Sequence, residues 1–414
     1  MLFFSLLLVF VLEYTRPHQF LPFIDTLKLY SIVPLSVFVL AFVAQTRNSN
    51  EVIFKSTITK LLLALLVLAA ASILTALDMD RAWQHWQALL GYIFLFFMIA
   101  KLCDSREKLK WLFRIIIGAH VWLVFLNPEL LTDPTQRSYI QNVTFLGDGN
   151  DFALSAVIAL PMCLYLFQSA RGAFAKGLYV IGGIVLIGAI LGTQSRGATL
   201  AIIAMVLYLW SVSQKKGRAT VFIMVGLVVV LAVASEAYIS RVQSIAHYQA
   251  DGSASARLTA WRAGTEMALR RPLLGVGIGC FPIAFGNWGY SVPGMPRMNA
   301  HSMYFQAVGE LAWIGIACLL GLMWGLFRDN QSAIKSISST ASVEQLDRRR
   351  LLVFTTASLL AFAVGGAFLS VLYYPHLYVL SGIIFSTRRI VALGQFENAA
   401  VPSRARRHAS RRTA

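Results

Sequence analysis

The feature that most constrains this chain is a repeated apolar run, again and again about 16 to 25 residues long, between short polar segments. A hydrocarbon layer about 30 Å thick needs a helix of that length, and a helix satisfies its own backbone hydrogen bonds there. With 57% hydrophobic and 13% charged residues in 414, the chain lies far from the about 25% charged of a soluble globule. The expected fold is all-α, a polytopic transmembrane helical bundle with one large outer loop that contains helix. About twelve spans are predicted, at residues 1–13, 29–46, 57–77, 87–100, 111–126, 151–169, 177–193, 197–212, 219–236, 301–327, 351–371 and 377–388. The N-terminal MLFFSLLLVFVLEY has no basic leading region and no small-residue cleavage site, so it reads as a short first span rather than a signal peptide.

A net charge of +17 would suggest a nucleic-acid partner in a soluble chain. Here its distribution explains it, and no nucleic acid is expected. With both termini placed in the cytoplasm, about two thirds of the 36 Lys and Arg fall on the inner side, as the positive-inside rule requires. The chain then divides into 1–236 with nine spans, an outer loop at 237–300, 301–388 with three spans, and a basic tail at 389–414. The tail lacks apolar periodicity; it is expected to be disordered and drawn to anionic headgroups. Cys103, Cys163, Cys280 and Cys318 form no CxxC and indicate neither a disulfide framework nor a thiolate metal site.

The outer loop is predicted to hold a helix from Ala256 to Arg270, capped by Ser253 or Ser255 and ended before Pro272. Leu258, Trp261, Thr265 and Ala268 recur at helical spacing, as expected of a helix lying on other protein or on the bilayer surface; GVGIG (275–279) follows as a loop. Three spans begin at the outer surface with polar motifs: GDGND (147–151), TQSRG (193–197) and NAHS (299–302). Helix N-termini attract anions and disfavour a protonated imidazole, which keeps His301 neutral and available as a base. Arg196 is confined between two spans, and Arg257, Arg262, Arg270, Arg271 and Arg297 add guanidinium groups that suit a phosphate ligand. Each of these also admits a plain structural role, as an interfacial histidine or a snorkelling arginine. Glu310 lies nine residues after His301, about half a turn out of phase, so Gln306 and Glu310 are expected to tie their span to its neighbours. His120 reads as a packing residue; His376, in YYPH, lies on the outer side.

These motifs together resemble the O-antigen ligase and O-antigen polymerase superfamily. The match runs over Asn150-Asp151-Phe152-Ala153, then Ser195-Arg196-Gly197-Ala198, then Arg257 with Trp261, then PLLGVGIGCF (272–281). It closes on His301-Ser302 through Gln306 and Glu310 to Gly315. Two departures are Ser302 for the more usual Asn and Ala312 for a Gly. The resemblance implies a glycosyltransferase of the bacterial inner membrane, working at the periplasmic face in lipopolysaccharide biosynthesis. Its donor would be a glycan on undecaprenyl diphosphate and its acceptor a hydroxyl of lipid A–core; it would use no metal and no cofactor. A polymerase or a protein O-oligosaccharyltransferase of the same superfamily is the alternative, and one dominant outer loop favours the ligase branch. On this reading His301 is the catalytic base, Arg196, Arg257, Arg262 and Arg297 bind diphosphate, and Asn150, Trp261, Gln306 and Glu310 support them. Two other designs compete: a divalent ion held by Asp78 and Asp80, and a transporter of lipid-linked sugar. The second calls for ionisable groups at mid-membrane depth, in which the spans are poor.

Overall fold

The computed structural model describes all residues except 16, 18–25, 44–46, 133–138, 141–145, 244–251, 291–295, 338–341 and 401–414, and gives backbone alone at 30–31, 47–49, 252–253 and 393–400. Seventeen α-helices and no strand occur among the described residues. The first seven are α1 (Leu2–Thr15), α2 (Leu29–Val43), α3 (Arg47–Lys55), α4 (Thr57–Ile73), α5 (Met79–Leu102), α6 (Arg106–Leu126) and α7 (Glu129–Thr132). Then come α8 (Gly149–Ser169), α9 (Ala173–Gly192), α10 (Arg196–Val212), α11 (Lys216–Val233) and α12 (Glu236–Gln243). The last are α13 (Gly252–Arg270), α14 (Phe281–Asn287), α15 (Met303–Lys335), α16 (Val343–Gly365) and α17 (Pro375–Ala400).

Every predicted span falls on a helix. Among the described residues, seven helices are long and apolar enough to cross a membrane by length and composition: α5, α6, α8, α9, α11, α15, and α16 with its following turn. Four shorter apolar helices cover the stretches in α1, α2, α4 and α10. Helices α8 and α16 lie at the centre, with almost all of their apolar residues buried. By contrast α11 buries none of its residues, as expected of a helix whose apolar surface is solvated by lipid. The tail predicted from residue 389 begins inside α17, because Val391 packs with Ile334 and Leu352 and prolongs the helix.

Helix α13 starts before the predicted Ala256, so Ser255 lies within it and cannot cap it. Of the stripe singled out from sequence, Trp261 and Ala268 pack against α15. Leu258 is exposed, whereas Ala256, Ala260, Ala263 and Met267 are buried. Small residues let α13 approach α15 closely: a β-carbon on Gly264 would stand 3.0 Å from the Phe305 carbonyl oxygen.

The longest helix, α15, is broken at Ala312, whose φ of 53° and ψ of −153° are not helical. The break frees the carbonyls of Gly309 and Glu310, which accept instead from Val276 N–H (3.0 Å) and Gly277 N–H (3.2 Å). The GVGIG loop is thereby stitched to α15. Its other side meets the α4–α5 turn: Leu77 N–H donates to the Val276 carbonyl (3.2 Å) and Ile278 N–H to Ser72 Oγ (3.1 Å). Gly275, Gly277 and Gly279 all have positive φ, and a β-carbon on Gly275 would lie 2.5 Å from the Glu310 carbonyl. Only glycine meets both demands at no steric cost.

Candidate active site

Helix caps place the three polar motifs. Asp148 caps α8, its carboxylate accepting from Asn150 N–H (2.8 Å), and Ser195 caps α10, accepting from Ala198 N–H (3.3 Å). Ser302 occupies the corresponding position ahead of α15. The motifs TQSRG and NAHS share a backbone device. Gln194 (φ 51°) and His301 (φ 46°) are each left-handed and each precede the serine that opens a helix. A non-glycine residue in that region is uncommon and is retained where surrounding contacts over-determine it.

Those contacts are visible around His301. Its N–H donates to Ser370 Oγ (2.9 Å). One residue earlier, the Ala300 carbonyl accepts from Trp261 Nε1 (3.1 Å), and the Trp261 ring stacks on Phe305 with centroids 5.1 Å apart. Trp261 thus clamps the chain on both sides of the histidine. Gln306 Oε1 accepts from Leu372 N–H (3.3 Å), fixing the 366–374 segment that carries Ser370. The start of α10 joins the same segment, since a β-carbon on Gly197 would touch Phe368 at 3.4 Å.

His301 opens onto a cavity of about 390 Å³. Its walls come from the start of α5 (Arg81, Gln84, His85), the GDGND motif (Asp148, Asp151), the segment before α15 (Asn299, His301, with Gln306), and the turn before α17 (Ser370, Tyr373, Tyr374). Asp151 accepts from the Tyr374 hydroxyl (3.2 Å). Arg81 Nε donates to the Gly279 carbonyl (2.6 Å), and His85 Nδ1 donates to the Arg81 carbonyl (2.9 Å). A β-carbon on Gly279 would stand 2.5 Å from the His85 ring, so the stitched loop sets the position of that wall. The span predicted to begin at His301 is a helix only from Met303, so His301 precedes the helix that is long and apolar enough to cross a membrane. Burial, and then the Arg257 guanidinium, hold its pKa below the ordinary 6.5, while Asp148 pulls it back upward. The imidazole therefore sits in the fields of a cation and of an anion, and is neutral near pH 7.

Of the residues singled out from sequence, the structure gathers His301 and Gln306 in the cavity wall, with Arg257 within electrostatic reach and Trp261 as the clamp. Asn150 stands beside them, its Nδ2 donating to Asp148 (3.0 Å). Glu310 lies behind the wall, fully buried, and accepts from Gly279 N–H (2.9 Å) and Phe281 N–H (3.2 Å). Arg196 is half-buried at the first position of α10 and outside the cavity lining; Arg262 and Arg297 are exposed and also outside it. Arg270 pairs with Glu266 and stacks on Trp288 at 4.8 Å, and Arg271 donates to the Thr75 carbonyl (2.6 Å), so both have structural employment. His120 is a buried packing residue, its Nε2 2.7 Å from Ser155 Oγ. His376 is buried between the Phe362 and Tyr374 rings, and its neighbours Tyr373 and Tyr374 line the cavity instead. Asp78 caps α5, accepting from Arg81 N–H (3.0 Å), which gives half of the Asp78–Asp80 pair a purely helical task.

Sequence reasoning missed Arg81, Gln84 and His85. Their signal was present: three polar residues at i, i+3 and i+4 in the first turns of an otherwise apolar helix. Asp148 and Asp151 stood inside a motif already noted but had been read only as helix-start residues.

A comparison with curated proteins finds no match. A comparison with protein-family models finds one, O-antigen ligase, over residues 181–320, about a third of the chain. That stretch holds Arg196, Arg257, Trp261, the GVGIG loop, His301 and the break at Ala312. Over that stretch the chain is similar to the O-antigen ligase family.

Proposed function

We propose that the protein transfers a glycan from an undecaprenyl diphosphate carrier to a hydroxyl of lipid A–core, at the periplasmic face of a bacterial inner membrane, with both termini in the cytoplasm. The observation that carries this reading is the neutral imidazole of His301, fixed in a strained backbone on a cavity rim, with the Arg257 guanidinium and the Asp148 carboxylate both within electrostatic reach.

The charges divide the work. Asp148 and Asp151 suit the hydroxyl groups of a sugar and would repel a diphosphate, so the cavity is assigned to glycan and acceptor. The diphosphate is assigned to the Arg257 side, with Arg196 at the start of α10 as the second contact and Arg262 and Arg297 as outlying cations. His301 accepts the proton of the acceptor hydroxyl as its oxygen bonds to the anomeric carbon. The bond from that carbon to the diphosphate oxygen breaks, and the electron pair leaves on the diphosphate, where the arginines stabilise the charge. Diphosphate is already a good leaving group, so no activating nucleotide is required.

The test supplies purified protein with lipid-linked donor and with lipid A–core, free polysaccharide or protein acceptor in separate reactions, and asks which gains mass. His301→Ala should lose transfer by at least ~100-fold, the usual scale of general base catalysis, while keeping carrier binding. A folded His301→Ala protein with near-full turnover would overturn the assignment. Mass gained by polysaccharide or protein alone would move the chain to another branch of the superfamily.

A further inference from the structure

At the end of the bundle opposite His301 lies a second cavity, of about 850 Å³, between the starts of α6, α9 and α16 and the end of α8. Asp148 borders the first cavity and Ser169 the second, at the two ends of the same 21-residue helix. At 1.5 Å per residue the two are about 30 Å apart, the thickness of the hydrocarbon core. The second cavity therefore sits at the other membrane surface, the one rich in Lys and Arg.

Five cations line it, Arg106, Lys110, Arg114, Arg171 and Arg350, against the carboxylates of Glu107, Glu344 and Asp347. The carboxylates are already engaged. Asp347 accepts from Arg106 Nη1 (2.8 Å), the Tyr165 hydroxyl (3.1 Å) and Ser169 Oγ (3.1 Å). Glu107 pairs with Lys110 (2.9 Å), and Glu344 pairs with Arg348 (2.7 Å), which lies outside the cavity lining. Arg114 stacks on Trp111 at 4.6 Å and donates to the Tyr179 hydroxyl (3.1 Å). Among the described residues no carboxylate pairs with Arg171 or Arg350, and both are exposed. The cavity thus holds surplus positive charge. From Arg171 the wall continues onto α9, which presents Phe174, Leu178 and Ile181 outward, all exposed; Trp111 on α6 is exposed as well.

A cationic pocket continuous with an exposed apolar helix face fits an amphiphile better than a soluble anion, which would use only the charged half. We propose that this cavity binds the phosphate headgroup of an anionic phospholipid of the basic-side leaflet, with Arg171 and Arg350 as its charge partners, Arg114 as a further donor, and acyl chains along α9. The proposal rests on membrane insertion and is independent of the transfer chemistry.

The experiment uses the full chain, purified in detergent and stripped of lipid, and follows its thermal unfolding midpoint during titration with phosphatidylglycerol, phosphatidylcholine or free glycerol phosphate. Phosphatidylglycerol should raise the midpoint, and the other two should not at equal phosphate concentration. At about five-fold per arginine near a charged surface, the Arg171→Gln, Arg350→Gln double variant should weaken the phosphatidylglycerol response about 30-fold. Arg218→Gln, which removes an exposed charge at the same surface outside the cavity, should leave it unchanged. An equal response to phosphatidylcholine, an equal response to free glycerol phosphate, or a double variant with wild-type response would each overturn the proposal.

Discussion

Glu310→Ala removes the carboxylate that receives two backbone N–H groups of the segment stitched to α15, those of Gly279 and Phe281. Both groups are buried. A buried donor left unpaired costs about 1–3 kcal/mol, so the substitution should weaken the closed loop by about 2–6 kcal/mol. Glu310→Gln keeps one acceptor oxygen and turns an amide donor towards the other N–H, so it should cost about 1–3 kcal/mol. Amide hydrogen exchange reads the difference directly. Residues 275–281 should exchange roughly 5- to 150-fold faster in the Gln variant, and faster again in the Ala variant up to the limit of global unfolding. Because the Gly279 carbonyl holds Arg81, protection should also fall at the start of α5, while α11, which does not touch this loop, should be unaffected. Wild-type exchange at Gly279 and Phe281 in Glu310→Ala would refute the account, and so would an Ala variant no worse than the Gln variant.

Two further predictions follow from the same geometry. As pH falls, His301 gains a proton and ceases to act as a base, so the acid limb of the transfer rate should lie below 6.5, where burial and Arg257 have pushed the group. Arg257→Gln removes a lowering cause and should move that limb up; Asp148→Asn removes a raising one and should move it down, and shifts in the same direction would contradict the arrangement. Ala312→Gly should keep the unfolding midpoint near that of the wild type: relief of about 1–3 kcal/mol of backbone strain offsets about 0.8 kcal/mol for the lost methyl and about 0.4–1 kcal/mol of added chain entropy. Ala312→Val should lower it, and the reverse order would show that the break is not strained.

Helix starts proved easier to read than helix faces. Asp148 and Ser195 cap as their residue types suggest, because a cap is a local hydrogen bond that needs nothing beyond three residues of the same chain. On α13, Trp261 and Ala268 pack as their spacing suggests, but Leu258 does not. Apolar size points to Leu258, but close packing against α15 selects alanines and Gly264 and leaves the leucine outside. The break at Ala312 has no local mark at all, since alanine is the best helix former. It exists because Val276 and Gly277 compete for the carbonyls that an unbroken helix would have used.

What the amino-acid order determined alone is the helical architecture: a bilayer demands long apolar helices, and seven helices among the described residues are long and apolar enough to cross one. It also marked His301, which stands where a polar segment turns into a helix. Only the tertiary structure decided what faces that histidine. Arg81, Asp148 and Tyr374 are far apart in sequence; the glycine loop, threaded into a broken helix, holds Arg81 through the Gly279 carbonyl, and the Tyr374 hydroxyl bonds Asp151 beside Asp148. No local pattern encodes that meeting; it is a property of packing, which couples all the helices at once.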